Sequence, residues 1–298
     1  MTDPLFARIT AALTRDVDPA VASLAQELAR ESGACAVLFY GSNLRTGSLD
    51  GVLDFYLLLP GERERGIWPR VSYREFAREP DTLRAKIAAM TLETFRAAAS
   101  GETIDTTIWA RFVQPSALVW ARDADSRAQV TEAVAAAART AARLAAVLGP
   151  EAGRPADYWR ALFRGTYTAE LRVEKPGRED SILSANPDHF AGLLPLALDG
   201  AGVSFTMDGE TIRPHISDAE RRAVRRWWGK RRRLGKWLNI RRLIRATRTF
   251  EGAARYGAWK VERHTGIPVR LTPWRERHPV LAAPGVLWRV WRARRSAP

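Results

Sequence analysis

Residues 39–59 run Phe39-Tyr40-Gly41-Ser42-Asn43-Leu44, then a short polar loop, then Val52-Leu53-Asp54-Phe55-Tyr56-Leu57-Leu58-Leu59. Ahead of the Gly-Ser pair, Ala36-Val37-Leu38-Phe39 is a continuous apolar run, as expected of a strand covered on both faces. Gly41-Ser42 reads as a tight turn. The run from Leu53 reads as a second strand with one carboxylate, Asp54, among apolar neighbours. Upstream, Val21, Leu24 and Leu28 recur at helical spacing, and the pattern stops at Gly33, a residue suited to end a helix. The predicted order is therefore helix, strand, Gly-Ser turn, loop and acidic strand. The plain alternative is a strand-turn-strand connection with no chemistry attached.

That order resembles the opening of the active site in nucleotidyltransferases of the polymerase-β type. The resemblance implies that Gly41 and Ser42 cradle a triphosphate: glycine has no Cβ to hold backbone N–H groups away from it, and serine adds a donor. It implies that Asp54 holds a Mg²⁺ ion that bridges the phosphates and neutralises charge developing on them. The superfamily carries two carboxylates two residues apart on this strand, and the first position here is Val52. Asp50 is the candidate replacement ligand. It is equally a turn residue, since Ser48-Leu49-Asp50-Gly51 has turn composition.

One branch is matched in more detail. Tyr40-Gly41-Ser42 followed by Leu53-Asp54-Phe55 resembles the mitochondrial-type phosphatidate cytidylyltransferases, the soluble-fold CDP-diacylglycerol synthases. Further likenesses follow in the same order, from about residue 36 to 195: Val71-Ser72-Tyr73, Leu83 to Ala88 with Lys86, Trp109 to Pro115 with Arg111, Thr166 to Arg172, and Asn186 to Phe190. The family would have a phosphatidate oxygen attack the α-phosphorus of CTP, with Mg²⁺ present and pyrophosphate leaving. The carried-over candidates are Lys86 (catalysis and triphosphate binding), Arg111 (phosphate), Tyr167 and Arg172 (nucleotide) and Glu170 (catalytic carboxylate). Each has a structural alternative. Lys86 could be a solvated edge lysine, Arg111 could pack and snorkel beside Trp109 and Phe112, and Glu170 could pair with an arginine. Tyr167 and Glu170, one turn apart, would share a helix face.

Composition narrows the classes. The chain of 298 residues has a single cysteine, Cys35, and four scattered histidines, so neither disulfides nor a Cys/His metal cluster is expected. Met1-Thr2-Asp3-Pro4 lacks the basic start and apolar core of a signal peptide. The most apolar long segment, Ala133 to Leu148, is interrupted by Arg139 and Arg143 and reads as a soluble helix. A cytoplasmic protein, soluble or peripheral at a membrane surface, is expected.

The net charge of +14 is unevenly spread: residues 221–298 hold 23 Lys and Arg against Glu251, Glu262 and Glu276. Seven of the 11 tryptophans lie there, among them Trp227, Trp228 and Trp237. Ser217-Asp218-Ala219-Glu220 is a capping box opening a helix, which Gly229 and Gly235 are expected to bend or break. Basic residues interleaved with tryptophan suit a helix lying in an anionic membrane interface. They also suit nucleic-acid binding, or packing on the chain's own acidic body; nucleic acid is the less expected partner.

Three regions follow. Residues 1–123 form an α/β nucleotidyltransferase-like domain, a mixed sheet with helices on one side. Residues 126–215 are mostly helical, with a hairpin turned by Asp208-Gly209 and possible winged-helix character. Residues 216–298 form a basic, Trp-rich, amphipathic extension facing lipid. The expected function is CTP:phosphatidate cytidylyltransferase. The alternatives are a nucleotidyltransferase with another acceptor (sugar phosphate, small molecule or RNA), or a non-enzymatic membrane- or nucleic-acid-binding protein on a degenerate scaffold.

Overall fold

Two helices that start on proline precede the sheet in the computed structural model, which describes residues 3–78, 81–170, 177–249, 252–265 and 268–277, with 282, 285 and 288. Helix α1 is Pro4–Leu13 and α2 is Pro19–Ser32. Asp3 and Asp18 cap them by accepting from the N–H groups of Leu5 and Ala20, at 2.9 and 2.8 Å. Next come β1 (Ala36–Tyr40), the one-turn α3 (Ser42–Thr46), β2 (Leu53–Leu59), β3 (Arg70–Arg78) and β4 (Asp81–Thr91). Helices α4 (Leu92–Ala99) and α5 (Thr107–Phe112) lead to β5 (Ser116–Ala121).

The five strands make one mixed sheet in the order β3-β4-β2-β1-β5, with β2 and β4 parallel and the other pairs antiparallel. Alternation sorts its side chains. Val37, Phe39, Leu53, Phe55 and Leu57 face α2, whereas Leu38, Tyr56 and Leu58 join the core on the opposite face with α4 and α5. Helices therefore cover both faces, correcting the expectation of one. The cause is legible in Ala36 to Phe39: a run apolar at every position needs cover on each side.

The 25-residue α6 (Ala124–Leu148) runs through the second core. Its alanines, including Ala133, Ala137 and Ala141, are buried, and their small side chains let α1, α4, α5 and later helices crowd round it. Helix α7 (Pro155–Glu170) buries Tyr158, Trp159 and Phe163 against it, each contributing roughly 2–3 kcal/mol of apolar burial. The short helices α8 (Arg178–Ser184), α9 (Pro187–Phe190) and α10 (Leu193–Gly200) follow. Then β6 (Phe205–Asp208) and β7 (Thr211–Pro214) form the expected hairpin. The Tyr158 hydroxyl donates to the Ile212 carbonyl at 2.7 Å, fastening the hairpin to α7. One hydrophobic cluster runs from Leu5 to Trp228, through the sheet and the helical region alike.

The basic region begins with α11 (Asp218–Thr249), a helix of 32 residues that continues through both Gly229 and Gly235, where a bend or break was expected. At Gly235 a Cβ would stand 3.0 Å from the Ala169 carbonyl oxygen, so glycine there allows α11 to approach α7 closely. The inward stripe of α11 is Val224, Trp228, Arg231 and Gly235, all buried. Trp228 is 5% exposed, and the half-buried Trp227 donates to the Gly101 carbonyl at 3.1 Å. These two tryptophans thus pack on the body and do not face outward as expected. Among the described side chains of α11, the exposed large apolar ones are Leu234, Trp237 and Ile240. Apolar and basic residues are mixed around α11, which is not amphipathic over its length. The amphipathic helix of this region is α12 (Ala253–Thr265), followed by α13 (Pro273–Arg277). Among the described residues no helix is long and apolar enough to cross a membrane.

Candidate functional site

A single row of side chains crosses the sheet at the mouth of the Gly-Ser turn. Strand register aligns Tyr73 of β3 with Lys86 of β4, Lys86 with Asp54 of β2, Asp54 with Tyr40 of β1, and Tyr40 with Ser116 of β5. Directly registered residues point to the same face, here the one that also carries Tyr56. Lys86 is therefore no edge lysine: β4 is interior, and its ammonium acts on the Asp54 carboxylate.

Burial pushes the Asp54 carboxyl above its ordinary range, against the opposing pull of Lys86, Arg111 and a hydrogen bond from the Tyr40 hydroxyl. Arg111 arrives from α5. Its Nη1 donates to the Tyr56 hydroxyl at 2.8 Å, and its guanidinium lies 5.2 Å from the Tyr40 ring centroid and 5.7 Å from that of Tyr56. Three of the sequence-selected residues, Asp54, Lys86 and Arg111, are thus brought together by three separate elements. Arg111 also packs on aromatic rings, so its structural and site roles coincide.

Gly41 sits at φ +96°, and a Cβ there would stand 3.1 Å from Asp54 Oδ2. Glycine is required by both the backbone and the carboxylate beside it. Ser42 opens α3 and donates to the Asn43 side-chain oxygen at 3.3 Å. Buried Asn43 in turn donates to the carbonyls of Ser48 and Asp50, at 2.8 and 2.7 Å, clamping the loop before β2. Asp50 is thus held through its backbone with its side chain exposed, while the charges acting on Asp54 are those of Lys86 and Arg111.

Tyr167 lies on α7 and lines a small cleft with Arg111, Thr107, Gln114 and Thr166. Glu170 is the last residue of α7, and Arg172 lies outside the described residues. The Asn186–Phe190 segment is structural: His189 Nε2 meets the Val113 carbonyl at 2.9 Å, and Arg8 donates to the carbonyls of Asp188 and Ala191.

Sequence reasoning missed the part of the site contributed by α12. The Tyr256 ring lies 5.3 Å from Tyr73 and 6.3 Å from Trp259, and the Asp54 charge acts on its phenol. Trp259 is flanked by the guanidinium groups of Arg84 and Arg263, at 5.7 and 5.2 Å. The spacing Tyr256, Trp259, Lys260, Arg263 is i, i+3, i+4, i+7, a helix face visible in the sequence. Its destination was not.

Among the described residues no group of three His, Cys, Asp or Glu side chains could hold a metal on protein ligands alone. One half-buried carboxylate beside two cations does fit a Mg²⁺ ion that accompanies a nucleotide, because Mg²⁺ keeps water and phosphate ligands and needs only one or two carboxylates. A scan against protein-family models finds no match, and no curated protein matches the chain significantly.

Proposed function

We propose that this chain is a Mg²⁺-dependent CTP:phosphatidate cytidylyltransferase, forming CDP-diacylglycerol and pyrophosphate. The observation that carries the nucleotidyltransferase part is the alignment of Asp54 between Lys86 and Tyr40, beside the Gly41 turn and below Arg111. A half-buried carboxylate held with its proton affinity raised is costly to keep ionised unless a cation completes it. Two basic side chains beside it suit the phosphates that would bring that cation.

Asp54 would hold the Mg²⁺ ion, which when bound neutralises charge on the phosphates. Lys86 and Arg111 would bind phosphate oxygens by charge-assisted hydrogen bonds. The Tyr40 hydroxyl orients the Asp54 carboxylate, and Gly41 leaves room for the turn to approach the triphosphate. A phosphatidate oxygen would form the new bond to the α-phosphorus as the bond to the β-phosphate oxygen breaks, pyrophosphate leaving with the bonding pair.

The lipid acceptor rests on the ordered resemblance along residues 36–195 and on α11. There Leu234, Trp237 and Ile240 are exposed, with Trp237 at 67%, among exposed Arg233, Lys236 and Arg241. Such a ridge suits an anionic bilayer surface. The test is labelled CTP with Mg²⁺ and phosphatidate vesicles, scored for a chloroform-soluble CDP-lipid. CTP turnover without that product would move the acceptor elsewhere; no turnover with any acceptor and no nucleotide binding would remove the enzyme assignment.

A further inference from the structure

Helix α12 crosses the face of the sheet that carries Asp54. Gly252, at φ +77°, brings the chain so close to β3 that a Cβ would stand 2.2 Å from the Tyr73 carbonyl oxygen. From there Tyr256 covers Tyr73, Trp259 covers Arg84, and Arg263 reaches the loop before β2, its Nη1 lying 2.7 Å from where a Gly51 Cβ would be. Both ends of α12 are therefore fitted to elements that build the candidate site: β3 at one end, the clamped loop at the other.

The charges are one-sided. Lys260 and Arg263 lie on the face that includes Tyr256 and Trp259, at 5.8 and 5.2 Å from those two rings respectively. Below them stand Arg84 and Lys86, with Arg111 on the far side of Asp54. Among the described residues the carboxylates between them are Asp54 and Glu75, the latter accepting from Tyr73 at 2.8 Å and lying 3.6 Å from Arg84. Five cations against two carboxylates suit a polyanion.

Resting on the nucleotidyltransferase proposal, we infer that α12 is the second wall of the nucleotide site, with Lys260 and Arg263 binding the phosphates of a nucleoside triphosphate from the side opposite Lys86. Tyr256 is a positioning residue that packs its ring on Tyr73, tilted by 53°, and fixes the helix over Asp54. The basic C-terminal region thereby has a local task besides any surface it offers to lipid: it completes a site begun by the first strands of the chain.

The experiment is calorimetric titration of the full-length protein with Mg-CTP, together with hydrogen exchange of the 252–265 peptide. Lys260→Glu combined with Arg263→Glu should weaken binding by about tenfold or more, as expected when charge-assisted phosphate contacts become repulsive. The equal charge change Arg225→Glu with Arg226→Glu, on exposed positions of α11, should leave it within about twofold. Mg-CTP should slow exchange in 252–265. Gly252→Val, which displaces α12 from β3, should weaken binding, and Tyr256→Phe, which retains the ring, should preserve it. If Mg-CTP binds with dependence on Lys86 while the α12 variants bind normally and 252–265 stays unprotected, the wall is overturned and the nucleotide reading stands. If Gly252→Val binds more tightly, α12 obstructs the site and the inference is equally overturned. Absence of binding by wild type to Mg-CTP and to the other nucleoside triphosphates overturns both.

Discussion

Asp54 and Lys86 are register partners on the parallel strands β2 and β4, thirty-two positions apart in the chain and side by side on one face of the sheet. The pairing gives a carboxylate raised by burial an ammonium that opposes the shift without cancelling it. Function and stability should therefore pull in opposite directions here.

Asp54→Asn should lower cytidylyl transfer by at least about a hundredfold, a loss of ~3 kcal/mol of transition-state stabilisation, and yet raise Tm at pH 7.5. The sign follows from linkage. A carboxyl whose folded pKa exceeds its unfolded value favours the fold below the unfolded pKa and loses that contribution as pH rises through the folded one. The Tm difference should thus shrink as pH falls toward the ordinary carboxylate range, near about 4. Full activity in the asparagine variant would sink the site assignment.

Arg231 is a buried cation on α11, 4% exposed. It donates to the carbonyls of Gly101 and Thr103, the latter at 2.7 Å, and lies 3.8 Å from the Trp227 ring. Burial lowers its pKa to about 10. Arg231→Met keeps much of the volume but removes a donor from each of two carbonyls, of which Gly101 keeps that of Trp227, so chemical denaturation should register a loss of about 1–3 kcal/mol. Arg232→Met, at the exposed neighbouring position, should register within about 0.5 kcal/mol of wild type.

His189 should make the fold acid-sensitive before the carboxylates do. Burial lowers its pKa to about 4, opposed by the hydrogen bond to the Val113 carbonyl and reinforced by Arg15 and Arg8. A histidine held neutral contributes stability that is present above its unfolded pKa of about 6.5 and is lost as pH falls toward the folded value. Denaturation midpoints measured from pH 7 to pH 4 should decline, and His189→Gln should flatten that slope. An unchanged slope would place the acid sensitivity elsewhere.

Trp237 separates lipid attachment from core packing. Trp237→Ala should reduce co-sedimentation with anionic vesicles in high salt, where apolar insertion outlasts screened charge, with little change in Tm. Trp228→Ala should instead cost about 3–5 kcal/mol of stability. Loss of vesicle binding only in the destabilised variant would mean that the exposed ridge does not insert.

Much of the first 120 residues was legible because local physics acts within a few positions. Ala36 to Phe39 is apolar at every step and could only be an interior strand. Gly41 marked the end of that strand, although Ser42 opens the one-turn helix α3 where a tight turn was expected, and Asp54 was conspicuous as a charge inside an apolar run. The hairpin at Asp208-Gly209 and the helix Ala124–Leu148 were likewise written in turn chemistry and alanine content. The second face of helices was missed although the same apolar run implied it.

What the tertiary structure alone decided was partnership. No spacing within β4 says that Lys86 will lie beside Asp54, because strand order and register are set by contacts between segments far apart in sequence. The spacing of α11 misled for a related reason. Its buried stripe carries Arg231 and Gly235, chosen for two carbonyls and a neighbouring helix, while Trp237 points outward. A hydropathy pattern records transfer from water to an average interior, and this interior offers hydrogen bonds at one turn and only a narrow gap at the next. The return of α12 over Asp54 is the extreme case. Tyr256, Trp259, Lys260 and Arg263 show a helix face in the sequence, but the surface that receives it exists only once β3, β4 and the loop clamped by Asn43 have assembled.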